Sequence, residues 1–428
     1  MIVEFTVANF RSIKDEQTFS LYAESVGTHL VDNLARFPAS GDLNLLRSVG
    51  VYGANASGKS NLLLAFYALR GLVVASKSLE DFAAIPSYQP YWLSEETKTK
   101  PVCFEIEFVV FGETRYRYKL AFLRDKIVEE RLSVFHTAKE SVLFSRAVLD
   151  TWETIRFGSL YKGGRKRFPF FGNNAYLSKA GSSADAPQMI RDVYNYFMHG
   201  LAHIGVNDIH SISELMMDEH ALHEITALLS SVDTGVVEVR REEKLDSSNF
   251  PPGIPASLKK TLLRNMNAKY FFAHKTDEGG SEQFEMTEES AGTRKLFELA
   301  PMLIDALHYG GVLVVDELDN SMHPFMAELI IKLFNDPDVN QGHGQLVFST
   351  HNINLMSPEL LRRDQIWFAE KTQGASRFYS LDDFDKKKVT PTSPFNRWYA
   401  EGRFGAVPKI DYQGLVALLK RGGSDAKA

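Results

Sequence analysis

The segment from residue 47 to residue 70 places a glycine-containing loop between two apolar runs. The first run, RSVGVYG, indicates a buried strand, because it is short and rich in β-branched and aromatic residues. The loop GANASGKS leads into NLLLAFYALRG, which predicts an apolar helix beginning near Lys59. A strand, a glycine loop and a helix in this order favour an α/β architecture.

The loop itself matches a phosphate-binding pattern. Its glycines, lysine and serine satisfy GxxxxGK[ST], in which backbone N–H groups surround phosphates, the lysine supplies a mobile positive charge and the serine hydroxyl binds magnesium. A plain glycine-rich turn would leave a lysine in front of a helix unexplained. The residues assigned to nucleotide binding here are Gly53, Asn55, Gly58, Lys59, Ser60 and Asn61, with Ser60 also assigned to Mg²⁺.

A second apolar strand ends in two acids. Residues 312–315, VLVV, are followed by Asp316 and Glu317 at the carboxyl edge of the expected strand. Asp316 is expected to hold magnesium, usually through water. Glu317 is expected to orient the attacking water and to accept its proton as a phosphoryl group leaves. Alone, an apolar strand ending in Asp-Glu is a weak signal, and the glycine loop strengthens it.

Two further positions are candidates for contact with phosphate groups. Ser290 and Gly292 stand at the start of an expected helix, where a hydroxyl and unpaired N–H groups form an anion site. The alternative is an ordinary helix start with Ser290 as its N-cap. His351 follows the apolar strand LVFST, so its imidazole would reach a γ-phosphate at the same sheet edge. A single histidine in that place is otherwise a structural residue.

The rest of the chain predicts an α/β fold with a mixed or parallel core sheet, an antiparallel β lobe and an inserted helical region. Alternating aromatic and charged residues from about 102 to 160 indicate an antiparallel hairpin or meander. Helical periodicity interrupted by the proline-rich turn at 250–255 indicates the insertion. The expected organisation is residues 1–184 for the glycine loop and β lobe, 185–266 for the helical insertion, and 267–428 for the remaining core.

Charge and composition exclude several classes of protein. The 48 Lys and Arg residues against 54 Asp and Glu residues leave a net charge of -6, which argues against a uniformly basic nucleic-acid coat. The single cysteine, Cys103, excludes an intramolecular disulfide framework. No run of about 18 apolar residues and no signal-peptide pattern occurs, so we expect a cytoplasmic protein without a membrane span.

In order, these segments resemble the ATP-binding-cassette class of P-loop ATPases, in the group that includes RecF, SMC proteins and the OLD-family nucleases. Within it the chain is most similar to bacterial AAA-type ATPases of phage defence, of the RloA, AbiL and PtuA kind. The similar segments extend over nearly the whole chain. They are VANFRSIKDE, GANASGKSN, ESAGTRK, VVDELDNSMHP, FSTHN and WYAEGRFGAVP.

The resemblance implies roles for further residues. Ser290 and Gly292 would belong to the signature motif, Asp319 would be the D-loop acid and His351 the switch histidine. Arg11 matches a basic residue near the N-terminus that approaches the nucleotide in relatives. The signature departs from the common LSGGQ sequence, so its contact would depend on Ser290 and Gly292 alone.

The resemblance also implies cofactors and partners. The nucleotide would be ATP with Mg²⁺, and Gln89 in SYQPYW is the candidate Q-loop glutamine and magnesium ligand. Two protomers would sandwich two ATP molecules, the signature of one completing the site of the other. Hydrolysis would remove the γ-phosphate, loosen the interface and switch the assembly.

Two classes of function remain open. In the first, the protein is an ATPase sensor that regulates a separately encoded nuclease or toxin in anti-phage defence, triggered by nucleic acid or a phage protein. The lack of effector chemistry favours it, since the 77 residues after His351 are too few for a nuclease domain. In the second, it is a DNA-maintenance ATPase like RecF. The basic loop GGRKRF, which could contact nucleic acid, and the acids Asp382, Asp383 and Asp385, which could bind a metal, are most simply solvated loops.

Overall fold

The structure, a computed structural model, describes residues 1–110, 114–136, 139–205, 219–243, 268–408, 411–416 and 419. The strands are β1 (Ile2–Ala8), β2 (Gln17–Ser20), β3 (Leu34–Phe37), β4 (Leu43–Leu46), β5 (Ser48–Tyr52), β6 (Val102–Val110), β7 (Thr114–Phe122), β8 (Ile127–His136), β9 (Lys139–Ala147), β10 (Arg156–Phe157), β11 (Leu201–Ile204), β12 (Val236–Glu243), β13 (Ala268–Lys275), β14 (Ser281–Glu285), β15 (Val312–Val315), β16 (Gln345–Ser349), β17 (Ile366–Thr372) and β18 (Ala375–Ser380). The α-helices are α1 (Lys59–Ala75), α2 (Tyr176–Gly181), α3 (Gln188–His199), α4 (Glu219–Ser230), α5 (Ala291–Tyr309), α6 (Pro324–Asn335) and α7 (Phe395–Ala400).

A six-stranded core sheet carries the motifs. Its order is β11-β15-β16-β5-β17-β18, with neighbouring strands parallel except for β18, which runs antiparallel to β17. Strands β5, β15 and β16 are buried along their whole length, as parallel strands covered on both faces are. Their carboxyl ends meet at one edge, where ligands bind to open α/β sheets.

Helices cover both faces of the core sheet. Along β15, Val312 and Val314 belong to the hydrophobic core that contains α1, whereas Leu313 and Val315 belong to the core that contains α5 and α6. The alternation follows from the two-residue period of a strand, which points successive side chains to opposite faces. The glycine loop and its helix are thereby fixed against a sheet that cannot tilt without disrupting two cores.

The second large sheet is an antiparallel lobe of seven strands. Its order is β10-β9-β8-β7-β6-β1-β2, which confirms the expected meander and adds the first two strands of the chain to it. Phe5 on β1 stacks on Phe66 of α1 with ring centroids 4.1 Å apart. Helix α1 therefore packs against the lobe as well as the core sheet, so both sheets support the start of the phosphate-binding helix.

The range 185–266 contains helices α3 and α4 together with strands β11 and β12. Strand β11 pairs in parallel with β15, so it is part of the core sheet. Strand β12 pairs with β13 in a small three-stranded sheet. The proline-rich turn at 250–255 lies outside the described residues.

The expected fold class is confirmed: the chain is a mixed α/β protein with a largely parallel core sheet and an antiparallel β lobe. None of the helices in the described ranges is long and apolar enough to cross a membrane.

Candidate nucleotide site

The glycine loop joins β5 to α1 through two backbone conformations that favour glycine. Gly53 has φ 153° and Gly58 has φ 109°. A Cβ atom on Gly53 would collide with the carbonyl oxygen of Ala369, and one on Gly58 would collide with the hydroxyl of Ser376. Both positions require glycine, because the backbone there has a positive φ and because it packs closely against β17 and β18. The loop is consequently a rigid turn, with the first N–H groups of α1 behind it.

Lys59 folds back over this loop. Its Nζ donates to the carbonyl oxygens of Gly53 at 2.9 Å and Ala54 at 3.2 Å, and it lies 3.1 Å from Nε2 of His351. Burial lowers the pKa of Lys59, and the nearby carboxylates of Asp316 and Glu317 oppose that shift. A buried ammonium held only by carbonyls and an imidazole can move to a stronger acceptor, and a phosphate oxygen is one.

The serine and asparagines of the motif lie in different places. Ser60 is half-buried in the first turn of α1, and its hydroxyl makes no hydrogen bond with any described residue. Asn55 is exposed at the tip of the loop. Asn61 donates through Nδ2 to Oγ of Ser12 at 2.6 Å, so its side chain fastens the helix to the segment after β1. Ser60 thus keeps a free oxygen for a ligand.

The two acids after β15 are held by Ser349, the last residue of β16. The Ser349 hydroxyl donates to Oδ1 of Asp316 at 2.5 Å and accepts from the backbone N–H of Glu317 at 2.8 Å. Glu317 has φ 51°, a left-handed conformation that a glutamate rarely adopts. The Ser349 hydroxyl therefore fixes the Asp316 carboxylate and the backbone at Glu317 beside the end of β16.

The residues that follow β16 reach the acidic loop in the same way. Thr350 donates through Oγ1 to Oδ1 of Asp319 at 2.5 Å. His351 follows it, and burial lowers the pKa of this histidine, with the Lys59 cation adding to the effect and Glu317 opposing it. The neutral imidazole is favoured, so Nε2 accepts from Lys59 while Nδ1 carries the ring proton.

The helix start at Ser290 is capped by a local hydrogen bond. Oγ of Ser290 accepts from the backbone N–H of Thr293 at 3.1 Å, so Ser290 is the N-cap of α5. A Cβ atom on Gly292 would lie 3.0 Å from the carbonyl oxygen of Ser321, which places the helix start beside the loop after Asp319. No hydrogen bond or ion pair between described residues joins Ser290 or Gly292 to residues 53–60. The exposed Ser290 faces solvent within the single chain.

Arg11 and Gln89 meet beside the first turn of α1. The backbone N–H of Arg11 donates to the carbonyl oxygen of Gln89 at 2.7 Å, and both residues line a surface pocket that also includes Asn61. Gln89 is exposed. Its role as a magnesium ligand remains a prediction.

Several supporting residues have no motif of their own. Ser376 donates to the carbonyl oxygen of Ser57 at 2.7 Å, and the N–H of Ala54 donates to the carbonyl oxygen of Ala406 at 3.0 Å. Ser12, which accepts from Asn61, and Ser349, which holds the acidic loop, are two further supporting residues. Apart from the position of Ser349 at the end of an apolar strand, no local pattern identifies them, because they act through the backbone or through contacts between distant segments.

The donor set fits a magnesium nucleotide. No group of three or more His, Cys, Asp or Glu side chains in the described ranges is placed to hold a metal alone. Magnesium is commonly held by one or two protein oxygens together with substrate phosphates. Ser60 and Asp316 would supply those oxygens, and the ion would neutralise charge on the phosphates.

The chain is similar to one protein family and to several solved structures. The family described as "AAA domain, putative AbiEii toxin, Type IV TA system" matches residues 48–357. Among solved structures, an SMC head bound to the C-winged helix domain of ScpA is 13% identical with a TM-score of 0.41, covering 91% of this chain and 99% of that chain. RecF with ATP is 11% identical with a TM-score of 0.39, covering 89% and 99%. No curated protein matches the chain. Because the family match spans more than two thirds of the chain and includes both Lys59 and His351, the chain belongs to this family of AAA-type ATPase domains.

Proposed function

We propose that the protein binds and hydrolyses ATP with Mg²⁺ in a composite site formed by two protomers. The observation that carries this proposal is the meeting of Lys59, His351 and the acids 316–319 at one edge of the core sheet. A cation, a neutral imidazole and a carboxylate base around a glycine loop are the groups that phosphoryl transfer to water requires.

In the proposed reaction, Lys59 leaves the carbonyls of the loop and binds the β- and γ-phosphates. The Glu317 carboxylate accepts a proton from water as the water oxygen bonds to the γ-phosphorus. The bond from that phosphorus to the β,γ-bridging oxygen breaks, and ADP leaves with the electron pair. His351 donates a hydrogen bond to the γ-phosphate once Lys59 has moved and the imidazole has turned or changed tautomer.

The partner protomer would complete the site with its Ser290 and Gly292. Support comes from the exposed, capped start of α5, which makes no bond to the glycine loop of its own chain within the described residues. A helix N-terminus attracts anions, so two such termini can each bind the γ-phosphate held by the other protomer. ATP would then act as the link between protomers, and hydrolysis would release them.

As its biological role, we propose regulation of a separately encoded nuclease or toxin in phage defence. The family description, which names a putative toxin of a type IV toxin–antitoxin system, supports a two-component system in which this chain acts together with a second protein. The trigger would be a nucleic acid or a phage protein.

Two measurements test this proposal. Phosphate release and ATP-dependent association, followed by light scattering, should both occur in the wild type and both fail in Lys59→Ala. Cells carrying the chain with its neighbouring reading frame should resist phage, and Lys59→Ala should remove the resistance. Resistance that is unaffected by Lys59→Ala would contradict the regulatory role even if hydrolysis is confirmed.

A second candidate function is DNA maintenance. The exposed basic turn at 162–167 favours it, since Arg165 lies 5.1 Å from the ring of Phe168 and Arg167 lies 6.0 Å from that of Phe157. Arginines held over aromatic rings present a defined cationic surface. Salt-dependent DNA binding that is lost on substitution of Arg165 and Arg167 by alanine would favour this function over the first.

A further inference from the structure

A cavity of about 530 Å³ lies at the amino ends of the parallel strands, on the edge of the core sheet opposite the glycine loop. Three glycines line it: Gly200 and Gly311 directly precede β11 and β15, and Gly342 comes three residues before β16. The glycine loop and the acids 316–319 lie at the carboxyl ends of the same sheet. The four residues of β15 separate the two edges by about 13 Å, so the cavity is no part of the nucleotide site.

The walls of the cavity are mainly apolar and aromatic. The buried side chains of Phe37, Val109 and Tyr196 line it. Tyr309 also belongs to the lining and is 74% exposed. The ring of Tyr196 is stacked on Phe108 with the ring centroids 4.5 Å apart, which holds that wall in place. Apolar pockets of roughly 300–1,000 Å³ with a few polar groups are typical of sites for small organic ligands.

A carboxylate without a partner interrupts this apolar surface. Asp305 of α5 lines the cavity and is half-buried, and its carboxylate makes no hydrogen bond or ion pair with a described residue. Burial raises the pKa of Asp305, while His199 and His308 oppose that shift. His308 is engaged elsewhere, since its Nε2 lies 2.9 Å from Oε1 of Glu224. Withdrawing an unpaired charge from water costs free energy, so this carboxylate indicates a ligand of opposite charge.

Two helices end at the cavity, and both ends favour positive charge. Helix α3 contributes Tyr196 and His199 from its last turn. Helix α5 contributes Asp305 and Tyr309 from its last five residues. The carboxyl end of a helix carries a partial negative charge, equivalent to about half an elementary charge. The two helix ends therefore add to the negative potential of the aspartate.

The lining supplies no permanent cation to balance this potential. None of the described residues that line the cavity is a lysine or an arginine. The amino group of Met1 donates to the carbonyl oxygen of Val109 at 3.0 Å, and burial lowers its pKa to about 5, so it is mainly uncharged near pH 7. Of the two histidines in the lining, His199 is exposed and His343 packs its ring 5.5 Å from that of Phe37. A permanent positive charge must therefore come from a ligand.

We propose that this cavity binds a small organic cation, an ammonium group carried on an apolar body. The positive charge would lie beside Asp305, and the apolar part would lie against Phe37, Tyr196 and Tyr309. The faces of aromatic rings attract cations, and alkylated ammonium groups are bound in sites lined by such rings. Binding here is separate from the proposed binding of ATP, because the cavity and the nucleotide site share no lining residue.

The test uses the full chain and two probes that share a benzyl group. Titration calorimetry with benzyltrimethylammonium and with benzyl alcohol separates the contribution of the charge from that of the apolar body. The wild type should bind the cation about tenfold or more tightly than the alcohol. Asp305→Asn keeps the shape of the side chain and removes its charge, so it should abolish this preference and leave binding of benzyl alcohol unchanged.

Glu298→Gln is the matched control. Glu298 is a half-buried acid on the same helix, seven residues before Asp305, and it does not line the cavity. This variant should bind both probes as the wild type does. Tyr309→Ala, which removes an exposed ring, should weaken binding of the cation several-fold, and Tyr309→Phe should restore it.

Thermal unfolding distinguishes a binding role of Asp305 from a structural one. Because the carboxylate has no partner, Asp305→Asn should unfold without ligand at the same temperature as the wild type or at a higher one. Benzyltrimethylammonium should raise the unfolding temperature of the wild type, since it binds only the folded chain, and should have little effect on the variant.

Four results would overturn the proposal. Equal affinity of the wild type for the two probes would show an apolar cavity without charge preference. Unchanged binding of the cation by Asp305→Asn would remove the carboxylate from the site, and a large loss of stability in that variant without ligand would make Asp305 a structural residue. Tighter binding of the blocked dipeptide acetyl-Phe-Arg-amide than of benzyltrimethylammonium would assign the cavity to a segment of another protein instead of a small cation.

Discussion

The ammonium nitrogen of Lys59 lies 3.1 Å from Nε2 of His351, although the two residues are 292 positions apart along the chain. The contact joins the helix after β5 to the loop after β16, two strands that are parallel neighbours in the core sheet. Under the proposed function, both side chains would contact the γ-phosphate, so ATP binding would replace this contact.

The lowered pKa of His351 predicts a pH dependence of stability. Burial and Lys59 favour the neutral ring in the folded protein, whereas the unfolded chain takes up a proton at the ordinary value of 6.5. The stabilising contribution is therefore complete above pH 6.5 and is lost as the pH falls through the lowered pKa. Thermal unfolding without nucleotide between pH 8 and pH 5 should show a larger loss on acidification in the wild type than in His351→Asn.

Parallel pH profiles for the two proteins would contradict this expectation. The groups that face His351 are Lys59 and the carboxylates of Asp316, Glu317 and Asp319, and all of them remain in the variant. A difference between the profiles therefore reports on the imidazole itself.

Lys59→Ala should abolish tight ATP binding. The substitution removes the side-chain cation of the phosphate cradle, while the loop conformation is kept by Gly53, Gly58 and the packing of Ser376. Titration with Mg²⁺ and ATP provides the measurement. Lys332→Ala, which removes an exposed lysine of α6, is the matched control and should bind normally. Equal affinity in Lys59→Ala and wild type would exclude this loop as the site.

The local motifs were predictable from sequence because they depend on short-range chemistry. Gly53 and Gly58 are recognisable because the turn requires glycine, and Lys59 because it supplies the charge of the motif. Asp316 is recognisable because it directly follows four apolar residues. Ser349 and Ala406 were not predictable, since their contacts arise from strand pairing and from packing of the C-terminal segment. The same limit explains why the antiparallel pairing of β1 with β6 was not predicted from the sequence.

The role of Ser349 can be tested directly. Ser349→Ala removes a hydrogen bond to Asp316 and leaves the N–H of Glu317 without its partner, which should cost about 1–3 kcal/mol of the free energy of unfolding. Turnover should fall by about tenfold or more, because the carboxylates lose their fixed orientation.

Ser178→Ala is the control for this variant. Ser178 is equally buried and accepts from the backbone N–H of Lys77, far from the acids. It should lower stability without changing phosphate release per folded molecule. A normal turnover rate in Ser349→Ala, measured on folded protein, would remove Ser349 from the site.

Glu317→Gln should keep ATP bound but slow hydrolysis by about a hundredfold or more. The amide preserves the shape of the side chain and cannot accept a proton from water. The variant should accumulate as an ATP-linked dimer, seen by light scattering, while phosphate release reports the rate. Glu328→Gln on the surface of α6 should behave as wild type. A wild-type rate in Glu317→Gln would assign the base to another residue.

Ser290→Arg should leave ATP binding by the single protomer nearly intact yet abolish ATP-dependent association and turnover. The arginine would fill the space where the partner's γ-phosphate approaches the start of α5. Loss of the N-cap costs about 1 kcal/mol, and Ser290→Ala loses the cap without adding bulk. Association that fails in the arginine variant and persists in the alanine variant would therefore reflect the blocked approach.

Mixing Ser290→Arg with Lys59→Ala provides the sharpest test of a composite site. In the mixed dimer, one site combines the defective glycine loop with the blocked helix start, and the other site combines two intact halves. Some hydrolysis should therefore return, up to about half the wild-type rate per mixed dimer if the sites act independently. If mixed dimers form, as shown by differently tagged protomers, and phosphate release stays as low as in either parent, independent composite sites are excluded. Both sites would then have to act together, or Ser290 would not contact the partner's nucleotide.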